Sequence, residues 1–336
     1  MKKSSKKLSR SSTGLDIDIK ELKYNKRTDL HESSLILEIS GKDISPSIIN
    51  AIRRVSMDEI PIYGFPAELI KIEGNNTIFN NDYMRLRLSQ IPILDIDSGL
   101  DFLDKKYVNT ELLFTDINYI RYEKEKVIEM YINTFNNTPE NINITTNDIT
   151  YLVDGETMNP YFKKYPILII QLRPNETFKC HMKSALSTGL KSNIFSAASN
   201  CYYNYDEDKN KYIFTIESQG QIQEQVIIKK SVNYLLKKIN DFKTYFTVQL
   251  KESTKYEKNS TLIFEFEDED HTMGELINNA FQDHKNIIFC GLSKPSPLER
   301  LIKIKIASDN EHPLKYMIES MDYLKEIFET IKKAIK

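Results

Sequence analysis

The stretch E-D-E-D-H-T-M-G-E-L-I-N-N-A-F, from Glu267 to Phe281, decides how the chain folds. Thr272 and Glu275 have the T-x-x-E spacing of a capping box, in which two side chains satisfy backbone N–H groups at the start of a helix. Apolar residues then follow at the spacing of one helix face, and these are Met273, Leu276, Ile277, Ala280 and Phe281. The stretch therefore predicts a short helix with one buried face.

Strand patterns lie on both sides of this helix. The segment 261–266 (T-L-I-F-E-F) alternates like a half-buried strand, and 286–291 is typical of a second strand. Pro295 and Pro297 predict a rigid turn, because each fixes its own φ angle, and a third strand follows over 301–307. The order strand, helix, strand, turn, strand is common and does not indicate a function.

Composition bounds the class of protein. A chain of 336 residues with 40% hydrophobic content can form two or three domains with real cores. Its 46 basic and 48 acidic residues leave a net charge of −2, so nucleic acid is not the expected main partner. Three widely spaced cysteines indicate a reducing compartment. The basic N-terminus has no apolar region after it and no run reaches the length of a membrane span, so we expect a soluble intracellular protein.

The first half of the chain begins with residues 1–14, which are typical of a disordered basic tail. This tail could be a nuclear address or contact nucleic acid, but a solvated terminus is the simpler interpretation. A strand is predicted over 35–40 and a helix from Pro46 to Glu59, with Ser45 as its N-cap. A strand over 67–73 and a helix over 80–90 follow.

After residue 93 the sequence pattern changes to short strands, and longer strand and helix patterns begin again at residue 211. Residues 94–205 contain short strands and polar turns, which indicate an inserted β-rich domain, and a strand is predicted over 211–217. Two long amphipathic helices then close the two halves. The first has an apolar face of Ile228, Val232, Leu235, Ile239 and Phe242, and the second one of Leu314, Met317, Ile318, Met321, Leu324, Phe328 and Ile331.

Three ordered motifs carry a resemblance in the C-terminal quarter. D-H-T-M-G-E-L, F-C-G and K-P-S-P-L-E resemble the signature of the small alpha-like subunit of cellular RNA polymerases, which is the eleventh eukaryotic subunit and the archaeal L subunit. The resemblance implies that the structural motif of that subunit is carried here by Thr272, Gly274, Glu275, Gly291, Pro295 and Pro297.

The N-terminal half resembles the partner of that subunit. N-A-I-R-R, E-I-P-I and N-D-Y-M-R-L-R-L-S-Q-I-P-I resemble the large alpha-like subunit, which is the third eukaryotic subunit, D in archaea and alpha in bacteria. The segment 186–203 resembles a further family segment, although Asn193 replaces its His and Phe195 its Trp. The positions that match the main pattern are Asn50, Arg53, Arg54, Arg87, Leu88 and Pro92.

The two resemblances together imply an α+β fold made of two alpha-like halves, which form an intramolecular pseudo-dimer. The chain is similar to a natural fusion of the two subunits, as in large nucleocytoplasmic DNA viruses. We expect a third-subunit-like dimerisation domain at 15–93 and 206–244, a β-rich insert at 94–205 and an eleventh-subunit-like domain at 245–336, joined around 245–259. The expected interface residues are Ile48, Ile52, Val55, Met273, Leu276, Ile277, Ala280, Phe281, Leu324 and Phe328.

The family motif also implies a docking surface. Arg53 and Arg54 are consecutive on a helix and point about 100° apart, so by themselves they would be two solvated charges. The resemblance implies instead that Asn50, Arg53 and Arg54 dock the second-largest polymerase subunit, with Arg54 facing that subunit rather than the other half. The eleventh-subunit-like half has Asn278 and Asn279 at the matching positions, so docking would be asymmetric.

Several clusters of polar residues have a metal-binding or catalytic interpretation. The run 268–271 (D-E-D-H) could bind a metal, but negative charge at a helix N-terminus explains it better. The segment 95–106 begins like a calcium loop, yet it lacks Gly at the sixth position and ends in Lys106. Cys180, His181 and Cys201 could be a zinc site or a nucleophile with its base, but no C-x-x-C motif occurs. We therefore expect no cofactor and no catalytic apparatus.

The resemblance implies a non-catalytic assembly subunit of a multisubunit DNA-directed RNA polymerase. The implied partners are the largest and second-largest subunits, which hold the active site, a tenth-subunit-like zinc-binding subunit and a twelfth-subunit-like peptide. The chain alone is expected to be monomeric, in host cytoplasm and virion if viral and otherwise in the nucleus. Two alternatives stay open, a stand-alone protein-binding adaptor with an alpha-like fold and a metal- or cysteine-dependent hydrolase.

Overall fold

The computed structural model describes residues 14–27, 33–104, 107, 123–252, 261–309 and 312–335. The predicted tail, except Gly14, and residues 253–259 of the predicted joint lie outside the described residues, as do residues 105–106. Among the described residues, no helix combines the length and the apolar character that crossing a bilayer requires.

The first half contains a four-stranded antiparallel sheet covered by helices. Its strands are, in spatial order, β1 (Asp18–Asn25), β2 (Ser34–Ser40), β13 (Lys211–Ser218) and β12 (Ala198–Asp206). Helix α1 (Pro46–Asp58) begins after Ser45 with a proline in its first turn, as predicted. A 29-residue helix, α3 (Glu224–Glu252), closes this half.

The second half has the predicted order of elements. Its three-stranded antiparallel sheet has the spatial order β14 (Leu262–Glu267), β16 (Leu301–Ser308) and β15 (Ile287–Ser293). Helix α4 (His271–Gln282) lies on the sheet and helix α5 (Pro313–Ala334) closes the half. Gly274 permits the close approach of α4, because a Cβ atom there would lie 2.9 Å from Leu292 Cδ1.

The insert is β-rich, as predicted. Its main sheet has the spatial order β4 (Ile70–Asn75), β10 (Thr177–Lys183), β5 (Ile128–Phe135), β7 (Thr150–Val153) and β8 (Glu156–Thr157). Two strand pairs, β6 (Ile142–Thr145) with β9 (Leu168–Leu172) and β3 (Ile62–Gly64) with β11 (Ala185–Ser187), complete it. Helix α2 (Asn81–Ser89) is capped by Asn80, whose side chain accepts a hydrogen bond from the Tyr83 N–H at 2.8 Å.

Two hydrophobic cores organise these elements. The joint core takes buried side chains from both halves, among them Leu37, Ile52, Phe214, Leu235, Ile277, Ile304 and Phe328. The insert core is separate and includes Tyr63, Phe65, Ile70, Met84, Leu88, Ile132 and Phe178. The two halves are therefore packed as one body, and the insert has a core of its own.

The structure corrects three predicted boundaries. Residues 62–93 supply β3, β4 and α2, whose buried apolar side chains, apart from Ile62, lie in the insert core, so the insert does not begin at 94. Strand β12 pairs with β13, so the return to the first sheet begins at Ala198 and not at 206. Helix α3 continues through the boundary at 245. Alternation of apolar residues shows that a strand exists but not which sheet it joins, and this is the reason for the errors at 94 and 206.

One predicted element also differs in type. The segment 67–73 was predicted to be a strand, but Ala67–Leu69 is a 3₁₀ turn and only Ile70 starts β4. The side chain of Leu69 is buried in the joint core although its backbone is helical. A short apolar run has the same appearance in either conformation, so sequence could not separate them.

Candidate functional site: the junction between the two halves

Helices from both halves meet at a buried apolar seam in the joint core. Helix α1 contacts α3 and α4, and α5 packs along α3. The predicted interface residues all lie here. Nine of them are buried, namely Ile48, Ile52, Val55, Met273, Leu276, Ile277, Phe281, Leu324 and Phe328, and the partly buried Ala280 packs against them. The seam therefore joins the same helices that the sequence predicted.

An aromatic cluster extends the seam and was not predicted. Phe246, which is fully buried near the end of α3, packs edge-on against Phe264 and Phe266 of β14, with ring centroids 6.0 Å apart in both pairs. Its ring also lies 6.1 Å from that of Phe281 on α4. Phe242 is the last residue of the apolar face predicted for this helix, and the same spacing continued to Phe246 was the pattern that could have extended it.

A charged contact lies at the edge of this seam, where the C-terminal part of α1 meets the start of α4. Arg54 Nε donates a hydrogen bond to Thr272 Oγ1 at 2.6 Å, and Arg54 Nη2 donates to Asp270 Oδ2 at 3.1 Å. The Arg54 side chain is 36% exposed and that of Asp270 only 17%. One arginine fork therefore holds the N-terminus of a helix in the other half.

A second arginine approaches the same carboxylate from the other side. Arg300 lies with Nη2 3.7 Å from Glu59 Oε1 in the first half and with Nη1 3.9 Å from Asp270 Oδ2 in the second. Its Nε also donates to the main-chain oxygen of Asp268 at 3.3 Å. Arg300 therefore contacts both halves.

A lysine of α3 completes the arrangement. Lys238 Nζ lies 2.7 Å from Glu269 Oε1, and both side chains are largely buried. The attraction between opposite charges is stronger away from water, but each ion also loses the free energy of its hydration. We call the whole set the charged junction, and it consists of Arg54, Glu59, Lys238, Glu269, Asp270 and Arg300.

The pKa values of Asp270 and Glu59 in the charged junction are shifted in opposite directions. Burial would raise the pKa of Asp270, but hydrogen bonds from Thr272 and the nearby Arg54 and Arg300 outweigh burial and lower it. Burial raises the pKa of Glu59, and the attraction of Arg300 offsets only part of that effect. Asp270 is therefore held as an anion, whereas the ionised form of Glu59 is disfavoured by its surroundings.

Two predictions about these residues are wrong. The N-cap of α4 is Asp270, whose side chain accepts from the Thr272 N–H at 2.8 Å, so Thr272 and Glu275 do not form a capping box. Instead, Glu275 Oε1 lies 3.9 Å from His271 Nδ1. The prediction that Arg54 faces away from the other half is also wrong. Local spacing could not show that the Thr272 hydroxyl is engaged by an arginine 218 positions away.

Arg53 remains on the partly exposed side of α1. Its Nε donates to Asn50 Oδ1 at 3.0 Å, and Nη1 lies 3.9 Å from Met57 Sδ. These contacts run along its own helix at i−3 and i+4, so they orient the guanidinium without using all of its donors. Asn50, Arg53 and Met57 thus form one half-buried stripe.

The predicted turn motif lies between β15 and β16. Pro295 and Pro297 stand in this turn as expected. Gly291 faces Lys305 across the sheet, and a Cβ atom there would lie 2.9 Å from Phe289 Cζ, so glycine makes room for that ring. The turn leaves Leu298 94% exposed.

The residues of the alternative metal and catalytic sites are buried or take part in other contacts. Burial raises the pKa of Cys180, Cys201 and Cys290 to about 12, so these thiols stay protonated at neutral pH and are poor nucleophiles. In the part of the chain that the structure describes, no three His, Cys, Asp or Glu side chains are grouped to hold a metal ion. In the segment 95–106, which begins like a calcium loop, Asp97 Oδ1 lies 2.8 Å from Lys230 Nζ.

Comparison with known proteins divides the chain in the same way. Residues 38–239 match a family model described as the RNA polymerase Rpb3/Rpb11 dimerisation domain, and residues 261–334 match a second model with that description. The chain is 27% identical over 352 residues to a protein of Acanthamoeba polyphaga mimivirus named as a DNA-directed RNA polymerase subunit, with 98% of each chain covered. It is also 36% identical over 67 residues to the DNA-directed RNA polymerase II subunit rpb11 of Dictyostelium discoideum, which is 20% of this chain and 56% of that one. The chain therefore belongs to the RNA polymerase Rpb3/Rpb11 dimerisation-domain family, with both dimerisation domains in one polypeptide.

Proposed function

We propose that this chain is a non-catalytic assembly subunit of a multisubunit DNA-directed RNA polymerase. The observation that carries the proposal is the joint core, in which helices α1 and α3 of one dimerisation domain pack on α4 and α5 of the other. One polypeptide thereby does what paired third- and eleventh-type subunits would do. Fusion raises the effective concentration of the two domains and fixes their ratio at one to one.

The stripe of Asn50, Arg53 and Met57 is our candidate for docking the second-largest subunit. It is half-buried already, so little further ordering is needed on binding, and Asn50 holds the guanidinium of Arg53 in place. A planar guanidinium can bind carboxylates or main-chain oxygens of a partner in a fixed geometry. Arg54 is removed from this surface, because its donors are used by the charged junction.

The remaining partners follow from the same proposal. The largest and second-largest subunits would hold the active site, and a tenth-type zinc-binding subunit and a twelfth-type peptide would join the platform. A viral enzyme of this kind would act in the host cytoplasm and be packaged in the virion. A stand-alone adaptor is the second candidate, and it would bind no large polymerase subunit.

Affinity purification tests the proposal. The tagged chain is produced together with the two largest polymerase subunits encoded by the same genome, and we expect both to be captured. Arg53→Ala should capture the second-largest subunit at least about tenfold less well, since lost charged hydrogen bonds at an interface are worth more than 1.4 kcal/mol. Arg85→Ala is the matched control, because Arg85 pairs with Asp82 on its own helix at 2.9 Å. Capture of neither large subunit by the unaltered chain would contradict the proposal.

A further inference from the structure

Leu298 is the most exposed large apolar side chain in the described ranges. It is 94% exposed, whereas the next most exposed large apolar side chain, Ile78, is at 63%. Single exposed apolar residues are common, but a leucine that contributes nothing to its own fold gains from burial only in a partner. Its position therefore decides whether the exposure matters.

The turn that carries Leu298 is held rigidly. Pro295 and Pro297 restrict the backbone on the approach to it. The ammonium of Lys294 donates to the Pro297 main-chain oxygen at 3.3 Å, and the Leu298 N–H donates to Ser296 Oγ at the same distance. A side chain presented on a rigid turn loses little conformational freedom on binding, which favours affinity.

The base of the turn rests on the charged junction. Arg300, two residues after Leu298, contacts Glu59 of the first half and Asp270 of the second. The position of Leu298 is thus fixed relative to both halves. A partner that binds Leu298 together with the first half would recognise only the joined pseudo-dimer.

The turn also lies next to the end of the helix that carries the stripe of Asn50, Arg53 and Met57. Glu59, the C-cap of α1 and two residues after Met57, lies with Oε1 3.7 Å from Nη2 of Arg300. The residue that follows the turn therefore contacts the end of the helix that carries the stripe. Glu299, beside Leu298, is exposed and adds a carboxylate to this end of the surface.

We propose that the turn 294–299 is a second contact for the same large polymerase subunit that binds the stripe, with Leu298 entering an apolar pocket and Glu299 meeting a basic group beside it. This inference rests on the proposed function. The contact between Arg300 and the end of α1 places the turn near the stripe, which argues for one protein partner. A single leucine with an adjacent carboxylate is too small and of the wrong charge to anchor the chain to an anionic membrane.

The test uses the full chain produced with the two largest polymerase subunits of the same genome. Leu298→Ser should weaken capture of the second-largest subunit about 10- to 100-fold, because the transfer of a leucine side chain into a pocket is lost. Ile78→Ser is the matched control, an exposed apolar residue on the insert, and should capture as the unaltered chain does. Glu299→Gln should weaken capture at low salt and have no effect at high salt.

The outcomes separate this inference from the proposed function. Both Leu298 and Ile78 are exposed, so all variants should melt at the same temperature, which thermal unfolding checks. Capture of both large subunits by Leu298→Ser at the affinity of the unaltered chain, while Arg53→Ala is impaired, would overturn this inference alone. This inference would also be overturned if the unaltered chain formed a homodimer and the Leu298→Ser variant were monomeric, because the pocket for Leu298 would then lie on a second copy. Capture of neither subunit by the unaltered chain would overturn the proposed function and this inference with it.

Discussion

At the scale of single residues, Arg54 is the clearest link between the halves. Arg54→Ala removes the donors to Thr272 and to the largely buried carboxylate of Asp270. We expect the free energy of unfolding to fall by about 1–3 kcal/mol, a range reduced for the partial exposure of Arg54. Arg53→Ala is the control and should change stability little, because the side-chain hydrogen bonds of Arg53 stay within one helix.

Urea unfolding of a double-mutant cycle measures the contact directly. Arg54→Ala and Asp270→Asn should be less than additive when combined, because each removes the same pair. Strictly additive losses would show that the two side chains do not interact in solution.

Two carboxylates of the charged junction should give opposite pH dependences. The pKa of Asp270 is lowered below 3.8, so its charge contributes stability above that pH, and the contribution is lost as pH falls through the folded pKa. The loss of stability in Asp270→Asn should therefore be largest near neutral pH and shrink below about pH 4.

Glu59 should behave in the opposite sense. Its pKa is raised above 4.5, so its protonated form contributes stability that is present at low pH and is lost as pH rises through the folded pKa. Glu59→Gln should therefore stabilise the protein at neutral pH, and the gain should vanish below about pH 4. Urea unfolding at several pH values checks both variants. A gain for Glu59→Gln that grows towards low pH would contradict the assignment.

At the scale of elements, the last turns of α3 tie the first half to the sheet of the second. Phe246 is fully buried and its ring meets Phe264, Phe266 and Phe281 of the second half. Phe246→Ala should cost about 3–5 kcal/mol, because it removes a buried ring and leaves a cavity. Val248→Ala, an exposed change on the same helix, should cost less than about 0.5 kcal/mol. Thermal and urea unfolding measure both, and equal effects would show that the end of α3 is not docked.

At the scale of the whole molecule, the pairing of the two domains buries the helix faces through which two separate subunits would dimerise. The apolar faces of α1, α3, α4 and α5 are buried within one joint core. We therefore expect a monomer, with a mass near 39.3 kDa by light scattering at micromolar concentration. Twice that mass would contradict the intramolecular pairing, unless exchange of the second half between chains explains it. Such a swapped dimer would persist on dilution and form only after unfolding and refolding.

The sequence by itself determined the main helices and the presence of two dimerisation domains that pair with each other. Apolar spacing placed α1, α4 and α5 and their buried faces, because helix periodicity is a local property. The ordered motifs around Thr272 and Arg53 were enough to indicate two dimerisation domains in one chain, and the family models confirm both. Nine of the predicted interface residues are buried in the joint core for the same reason.

Tertiary structure decided everything that depends on residues distant in the chain. Asp270 and Thr272 can both cap a helix, and only the presence of Arg54 across the junction assigns the carboxylate to the cap and the hydroxyl to the arginine. Strands β4 and β12 alternate like any others, and only their pairing places them in the insert and in the first sheet. The roles of Glu59 and Arg300 could not be predicted from the sequence, for the same physical reason. Ion pairs and strand pairing require closeness in space, and neither has a periodicity that a sequence can display.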